Sequence, residues 1–371
     1  MRSKLGLIVG ISLSSSAAVA GDQIDITPTA QLQVWTTIWD QDQDPTADPS
    51  GYGDPENDPG FSIRRGRIGM EATYGNIEGL FQMGIGAPYD ALTPQNQNVQ
   101  IANAYVRGSI ALGPGTGRIG AGMIKVPFSR EGIMSSADLT FQERAVHTAW
   151  MAPIQDLGVL ADWTADFGLT VSAGVFNGGG SLFGDNNSGL LYGGRVEYNK
   201  GDTYRSYTTN DPFAIGVGFS TFFNDDVATE TVAFEADVML KVRAFHLMAE
   251  FAQSEIKPGN TDIDVPEVLN ATTRRGISAQ AGYTIPLGQG GLEFASRIGL
   301  YDDAVSLKDN GDVLISHTGL TAHNVAPTLD VGLGFIHREE LQGRSLSNDT
   351  IRLWTQFQWP VKKTTGCCSK D

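Results

Sequence analysis

The segment Ile351-Arg352-Leu353-Trp354-Thr355-Gln356-Phe357-Gln358-Trp359 alternates apolar with mostly polar residues and stops on an aromatic. Strict period two puts Ile351, Leu353, Thr355, Phe357 and Trp359 on one face. Arg352, Gln356 and Gln358 take the other, with Trp354 as the exception. In a soluble sheet the apolar face meets a core. In an outer-membrane barrel it meets lipid, and the polar face lines water.

The beginning of the chain favours the second environment. Met1-Arg2-Ser3-Lys4 is positive, Leu5 to Leu13 is apolar, and Ala18 and Ala20 form an A-x-A site before Gly21. This reads as a signal peptide over 1–20, too short to span a bilayer as a helix. Its removal takes Arg2 and Lys4 away, so the formal charge moves from −16 to −18. No later stretch offers 18 uninterrupted apolar residues, which excludes a transmembrane helix. The acidic total excludes nucleic acid as a partner. It says little about solutes passing inside, because exposed loops can hold the negative charge while a pore holds a local positive patch.

Alternation recurs in sixteen segments. They fall near 24–39, 62–74, 76–86, 98–111, 115–126, 140–152, 161–176 and 189–199, then 212–223, 231–243, 244–255, 274–286, 290–301, 312–323, 327–338 and 349–359. Each is about as long as the roughly 9–11 residues a tilted membrane strand needs. Odd-numbered connections are mostly long and polar, as at Asp40 to Phe61 and Pro127 to Leu139, and even-numbered ones are often tight, as at Gly75-Asn76 and Gly113-Pro114-Gly115. Lys200 to Asp211 is long for a tight turn. Alternating long and short connections around an even strand count is the pattern of bacterial outer-membrane barrels. The expected fold is therefore an all-β, transmembrane, antiparallel up-and-down barrel of about sixteen strands over 21–359. Both ends would face the periplasm, with the acidic loop around Asp42–Pro59 outside. Residues 360–371 form a tail carrying the only cysteines, Cys367 and Cys368, which leaves no long-range disulfide to form.

Two stretches carry charge where a pore needs it. Phe61-Ser62-Ile63-Arg64-Arg65-Gly66-Arg67-Ile68-Gly69 opens the second segment. The other runs Lys125-Val126-Pro127-Phe128-Ser129-Arg130, then Ser135-Ser136 and Leu139-Thr140-Phe141-Gln142-Glu143-Arg144. Pro127 ends ladder pairing. With Gly174-Val175-Phe176-Asn177-Gly178 further on, these motifs resemble the phosphate-selective porins O and P. The resemblance implies a third extracellular loop folded into the barrel as a constriction, basic residues that bind phosphate or other anions, and trimers. Carried over residue by residue, it points to Arg64, Arg65, Lys125, Ser135 and Arg144. Parity adds Arg67: with Ile68, Met70, Ala72 and Tyr74 toward lipid, Arg65 and Arg67 point inward, and Arg64 points out unless it reaches water at the rim or across a bulge. Lys125 shares parity with Ile119, Ala121 and Met123, so it reaches the lumen only past a strand end or bulge.

A guanidinium presents a fork of donors matched to phosphate oxygens, and a confined eyelet amplifies its field. The same arginines also serve simply to pair with acids on the inner wall. Candidate inward positions mix Arg195, Lys241, Arg243, Arg297 and Arg352 with Glu197, Glu235, Asp237, Glu250 and Glu293. The leading expectation is thus an outer-membrane porin, a passive channel for small and anionic solutes such as phosphate. The alternatives are general diffusion without phosphate specificity, an outer-membrane enzyme using Ser135 and His147, and an adhesive barrel. Expected partners are outer-membrane lipid and lipopolysaccharide, small anions, the barrel assembly machinery and copies of itself in a homotrimer. No cofactor is implied. Five scattered histidines (His147, His246, His317, His323 and His337) show no metal-ligand spacing.

Overall fold

A computed structural model describes residues 23–40, 59–85, 99–179, 189–205, 207, 213–226, 229–259, 270–288, 290–309, 311–343, 345 and 349–359. The expected signal peptide, the tail with Cys367 and Cys368, and nearly all of the Asp42–Pro59 loop lie outside these residues.

The strands are β1 (Asp25–Asp40), β2 (Gly60–Tyr74), β3 (Ile77–Ile85), β4 (Gln100–Ala111), β5 (Gly115–Lys125), β6 (Gln155–Ala165), β7 (Leu169–Phe176) and β8 (Leu191–Lys200). They continue as β9 (Phe213–Asp225), β10 (Thr229–Val242), β11 (Phe245–Pro258), β12 (Thr272–Leu287), β13 (Gly290–Asp302), β14 (Val313–Ala326), β15 (Leu329–Glu340) and β16 (Thr350–Trp359). Each pairs antiparallel with its sequence neighbours, and β1 with β16 closes the barrel. Closure leaves no strand edge, which a bilayer demands because no water can satisfy one.

The sixth expected strand is corrected. Residues 140–152 are not a strand but belong to the connection from β5 to β6, which carries the short helices α1 (Arg130–Ile133) and α2 (Val146–Met151). The sixth strand instead occupies the first part of the expected 161–176 segment and the residues before it. The turn Asp166-Phe167-Gly168, with Gly168 at φ 105°, divides β6 from β7. The strand count stands, and the long-short rhythm of connections becomes cleaner.

Side chains sort as the alternation requires. Val217, Phe219, Val232, Phe234 and Val238 are exposed on the outer face, where the bilayer rather than water surrounds them. Glu235 and Asp237 on the alternate positions of β10 are buried inside. In β16, Arg352 and Gln356 are buried while Phe357 and Trp359 are exposed. Trp354 does point inward, where the bare Cα of Gly332 leaves room for its ring.

The buried apolar clusters lie inside the barrel, under the long connection 126–154. Val126 and Phe128 pack on Ile124, Leu160, Phe176, Leu191 and Phe222 of the wall. Val146 and Met151 of α2 pack on Ala252, Tyr301 and Val313. Met134 joins Met239, Met248 and Tyr204. Two wall glycines admit this loop: a Cβ on Gly276 would lie 2.2 Å from His147 Cβ, and one on Gly299 3.2 Å from Val146. Gly276→Ala should therefore push α2 off the wall at a cost of about 1–3 kcal/mol. Thermal unfolding should begin at lower temperature and single-channel conductance should rise. Gly108→Ala, where an added Cβ meets nothing within 4 Å, should change neither.

Candidate functional site: a loop docked inside the barrel

The connection 126–154 is held by opposite charges placed on loop and wall. Arg130 donates from Nε to Asp237 Oδ1 at 2.6 Å and from Nη1 to Asn199 at 3.0 Å, with Tyr204 stacked beneath the guanidinium. Burial works against this cation, but Asp237, then Tyr204 and Glu197, outweigh it, so it stays protonated beyond its usual range. Glu131 accepts from Arg297 Nη1 at 3.0 Å. Glu143 pairs with Arg64 and Arg65. Burial pushes the Glu143 carboxyl up, yet Arg64 and then Arg65 hold it at about 2.

Glu250 on β11 gathers both helices. Its carboxylate accepts from Ser129 Oγ at 2.9 Å, from the Glu131 amide at 2.6 Å and from Thr148 Oγ1 at 3.0 Å. His147 Nε2 lies 3.3 Å from the same carboxylate. Ser129 caps α1 by accepting from the Gly132 amide at 3.1 Å, and it does so at φ 62°, a strained position for a residue with a Cβ.

Arg64 faces inward, against its parity. Gln33 pairs with Arg65 and Val34 with Ile63, so Arg64 is the extra residue of a bulge. That bulge turns consecutive arginines into the lumen together. Lys125 also reaches the loop despite its parity. It is the last residue of β5, and its Nζ donates to the carbonyls of Ile133 at 2.7 Å and Met134 at 2.6 Å. Arg144 is likewise turned onto the loop, donating to the carbonyls of Glu131 at 3.0 Å and Met134 at 3.2 Å. Burial lowers its proton affinity, more than Glu131 and Glu143 restore. Ser135 Oγ accepts from the Ala137 amide at 3.3 Å, within its own turn. Its neighbour Ser136 is the residue beside Arg67 (3.4 Å) and Gln31 (3.3 Å).

The expected site residues thus come together in part. Arg64, Arg65, Arg67 and Arg144 lie within electrostatic reach of one another. Arg297 and Arg352 join them around Glu143, Ala145 and His317 at the edge of the lumen. Lys125 and Ser135 serve the loop itself. Arg243 leaves the inward set, since it sits in the exposed turn after β10 at φ 57°. Arg195 is tied to Glu197, Glu235 and Asp237 at 2.8, 3.2 and 2.6 Å.

Sequence reasoning missed a second insertion. The connection after β8, noted as long for a turn, sends Tyr204 and Arg205 up against the loop. Tyr204 is buried and donates its hydroxyl to Glu197, and Arg205 Nε donates to Asp138 at 3.2 Å. Tyr207 stacks on His323 with ring centroids 3.7 Å apart. Arg205, Tyr207, His323 and Asp138, with Asp330 and Gln356, line a cavity beside the loop. The only sequence signal was the length of the connection. No Ser135–His147 contact exists, because His147 faces Glu250 and Thr148.

A closed sixteen-strand barrel with an internally docked loop defines an outer-membrane porin. A family model described as phosphate-selective porin O and P matches residues 39–292, more than half of the chain, and the chain belongs to that family of the bacterial outer membrane. No curated protein matches it. Among solved structures it resembles OprB of Pseudomonas putida, with a TM-score of 0.59 at 9% identity, covering 91% of this chain and 94% of that one. OmpT of Vibrio cholerae in a trimer form gives a TM-score of 0.57 at 12% identity, covering 91% and 99%. An anion-selective porin from Comamonas acidovorans gives 0.52 at 12% identity, covering 91% and 100%. At these identities the likeness is one of fold.

Two measurements follow from the charges. Glu143→Gln removes the counter-ion of Arg64 and Arg65 and should cost about 1–3 kcal/mol, while the reversal potential under a salt gradient moves toward greater anion preference. Burial raises the Asp138 carboxyl to about 6 against the pull of Arg205. This group is raised, so the folded state takes up its proton as pH falls through about 6, and Arg205 then loses its anionic partner. Anion preference should increase between pH 7 and pH 5, and Asp138→Asn should remove that step.

Proposed function

We propose that this porin is a passive, non-enzymatic channel that prefers small anions, phosphate included. The observation that carries the reading is the charge balance at the docked loop. The guanidiniums of Arg64, Arg65, Arg67, Arg144, Arg297 and Arg352 gather around the carboxylates of Glu131, Glu143 and Glu250. Cations outnumber anions there, and permeating ions feel the nearest charges. Exposed loop acids act over only about 8 Å at physiological salt. The arginine fork and the Ser136 hydroxyl beside Arg67 supply donors of the kind phosphate oxygens accept. A solved porin of the same fold is described as anion-selective.

Each guanidinium has a fixed role. Arg64, Arg65 and Arg144 shape the eyelet and its potential while anchoring the loop, and Arg67 is the residue best placed to meet a passing solute. Conduction needs such modest attraction, since a deep trap would hold the ion rather than pass it. Diffusion of this kind requires no cofactor. A general diffusion porin without phosphate specificity is the second reading, favoured by the acids Glu197, Glu235 and Asp237 on the facing wall. The porin works as a homotrimer among lipid and lipopolysaccharide, after assembly machinery has read the aromatic end of β16.

The test is the reversal potential of the purified porin in a planar bilayer under a potassium chloride gradient, repeated with phosphate. The wild-type channel should prefer chloride. Arg67→Glu should shift it toward potassium, most strongly at low salt, and weaken any phosphate block. A wild-type preference for potassium would overturn anion selectivity. Anion preference with no effect of phosphate would leave the general diffusion reading standing.

A further inference from the structure

Asp302 ends β13, and the connection to β14 at the extracellular mouth carries Asp303, Asp309 and Asp312. Carboxylate oxygens of Asp302, Asp303 and Asp312 all lie within 4.8 Å of one another. Asp302 Oδ1 accepts from the Ala304 amide at 3.1 Å, but other oxygens of the cluster are left over. Asp312 is 9% exposed, and its Oδ1 is buried with no hydrogen-bond partner, as is Asp303 Oδ1. Beneath them the hydroxyl of Tyr301, a residue only 2% exposed, is also buried without a partner. It stands within electrostatic reach of Asp302 and Asp303. Arg274 lies within reach of Asp303 and Tyr301 but forms no ion pair with them among the described residues, and Lys308 is exposed.

The chain is shaped to keep this arrangement. Asp309 accepts from the Gly311 amide at 2.9 Å, which folds the backbone back over Asp303. A Cβ at Gly311 would fall 2.1 Å from Asp303 Oδ1, so the glycine lets the turn come close to that carboxylate.

We propose that Asp302, Asp303 and Asp312 bind one divalent cation of the calcium class at the mouth of the barrel. Every donor is oxygen, which selects a hard ion, and irregular spacing suits calcium better than the strict octahedron of magnesium. Water completes the shell, with the Tyr301 hydroxyl as its inner neighbour. The ion closes the base of the β13–β14 connection. Tyr301 and Val313, at its two ends, pack on Val146 and Met151 of α2, so the same ion braces the wall that carries the pore loop. This assignment is independent of which solute the channel passes.

Terbium is the probe. EDTA-treated, detergent-solubilised full-length porin is titrated with Tb³⁺ under excitation of tyrosine, then back-titrated with Ca²⁺, and thermal unfolding is compared in Ca²⁺ and in EDTA. Wild type should show saturable emission that Ca²⁺ displaces, and should unfold at higher temperature in Ca²⁺. Asp302→Asn with Asp312→Asn should weaken the displaceable binding by at least about tenfold and remove the Ca²⁺ stabilisation. Glu255→Gln, an exposed acid at another part of the mouth, should change neither. If the double variant does not assemble, Asp303→Asn alone should show the same loss. Titrations and unfolding indistinguishable from wild type in the assembled variants would overturn the site, the emission then arising from other loop acids.

Discussion

Glu250 projects from β11 into the barrel and accepts hydrogen bonds from Ser129, the Glu131 amide and Thr148, with His147 beside it. These donors come from both ends of a connection that would otherwise extend from the rim. One wall carboxylate thereby draws α1 and α2 together, and the remaining pairs fall into place around it. Arg130 meets Asp237, Glu131 meets Arg297, and Glu143 meets Arg64 and Arg65. A buried charge left alone is costly, so each pair forbids the loop from sliding to a position where its partner is missing. The docked loop is specified by matched charge as much as by apolar burial.

This arrangement also divides the lumen. The acids of β8 and β10 are consumed by Arg130 and Arg195, while the arginines of β2, β13 and β16 exceed the carboxylates that face them. A chain with a formal charge of −16 thus gathers several of its arginines at the docked loop. The residues after β8 add a second layer beside the loop, where Arg205 meets Asp138 and Tyr207 covers His323.

Much of the fold was legible because period two survives wherever one face meets lipid and the other water. Along most of β9, β10 and β16 outward and inward residues alternate. Residues 140–152 misled because a buried loop also mixes apolar and polar residues, and Val146 and Trp150 recur with a spacing that neither period resolves. Gly168 was the sign of the missed turn. The site was less legible. Simple alternation points Arg64 outward and leaves a bulge as the alternative, which the register against β1 decides. The partners of Glu131, Arg130 and Arg64 lie 166, 107 and 79 residues away in sequence. Nothing local announces such pairs.

The most direct test of the account is the single-channel conductance of Glu250→Gln, a change that keeps size while removing the charge and one of two acceptor oxygens. Circular dichroism and heat-modifiable migration should remain those of a folded barrel. Conductance should rise and fluctuate as α1 and α2 lose their common anchor. A folded Glu250→Gln barrel with the steady conductance of wild type would contradict the claim that this carboxylate holds the pore loop.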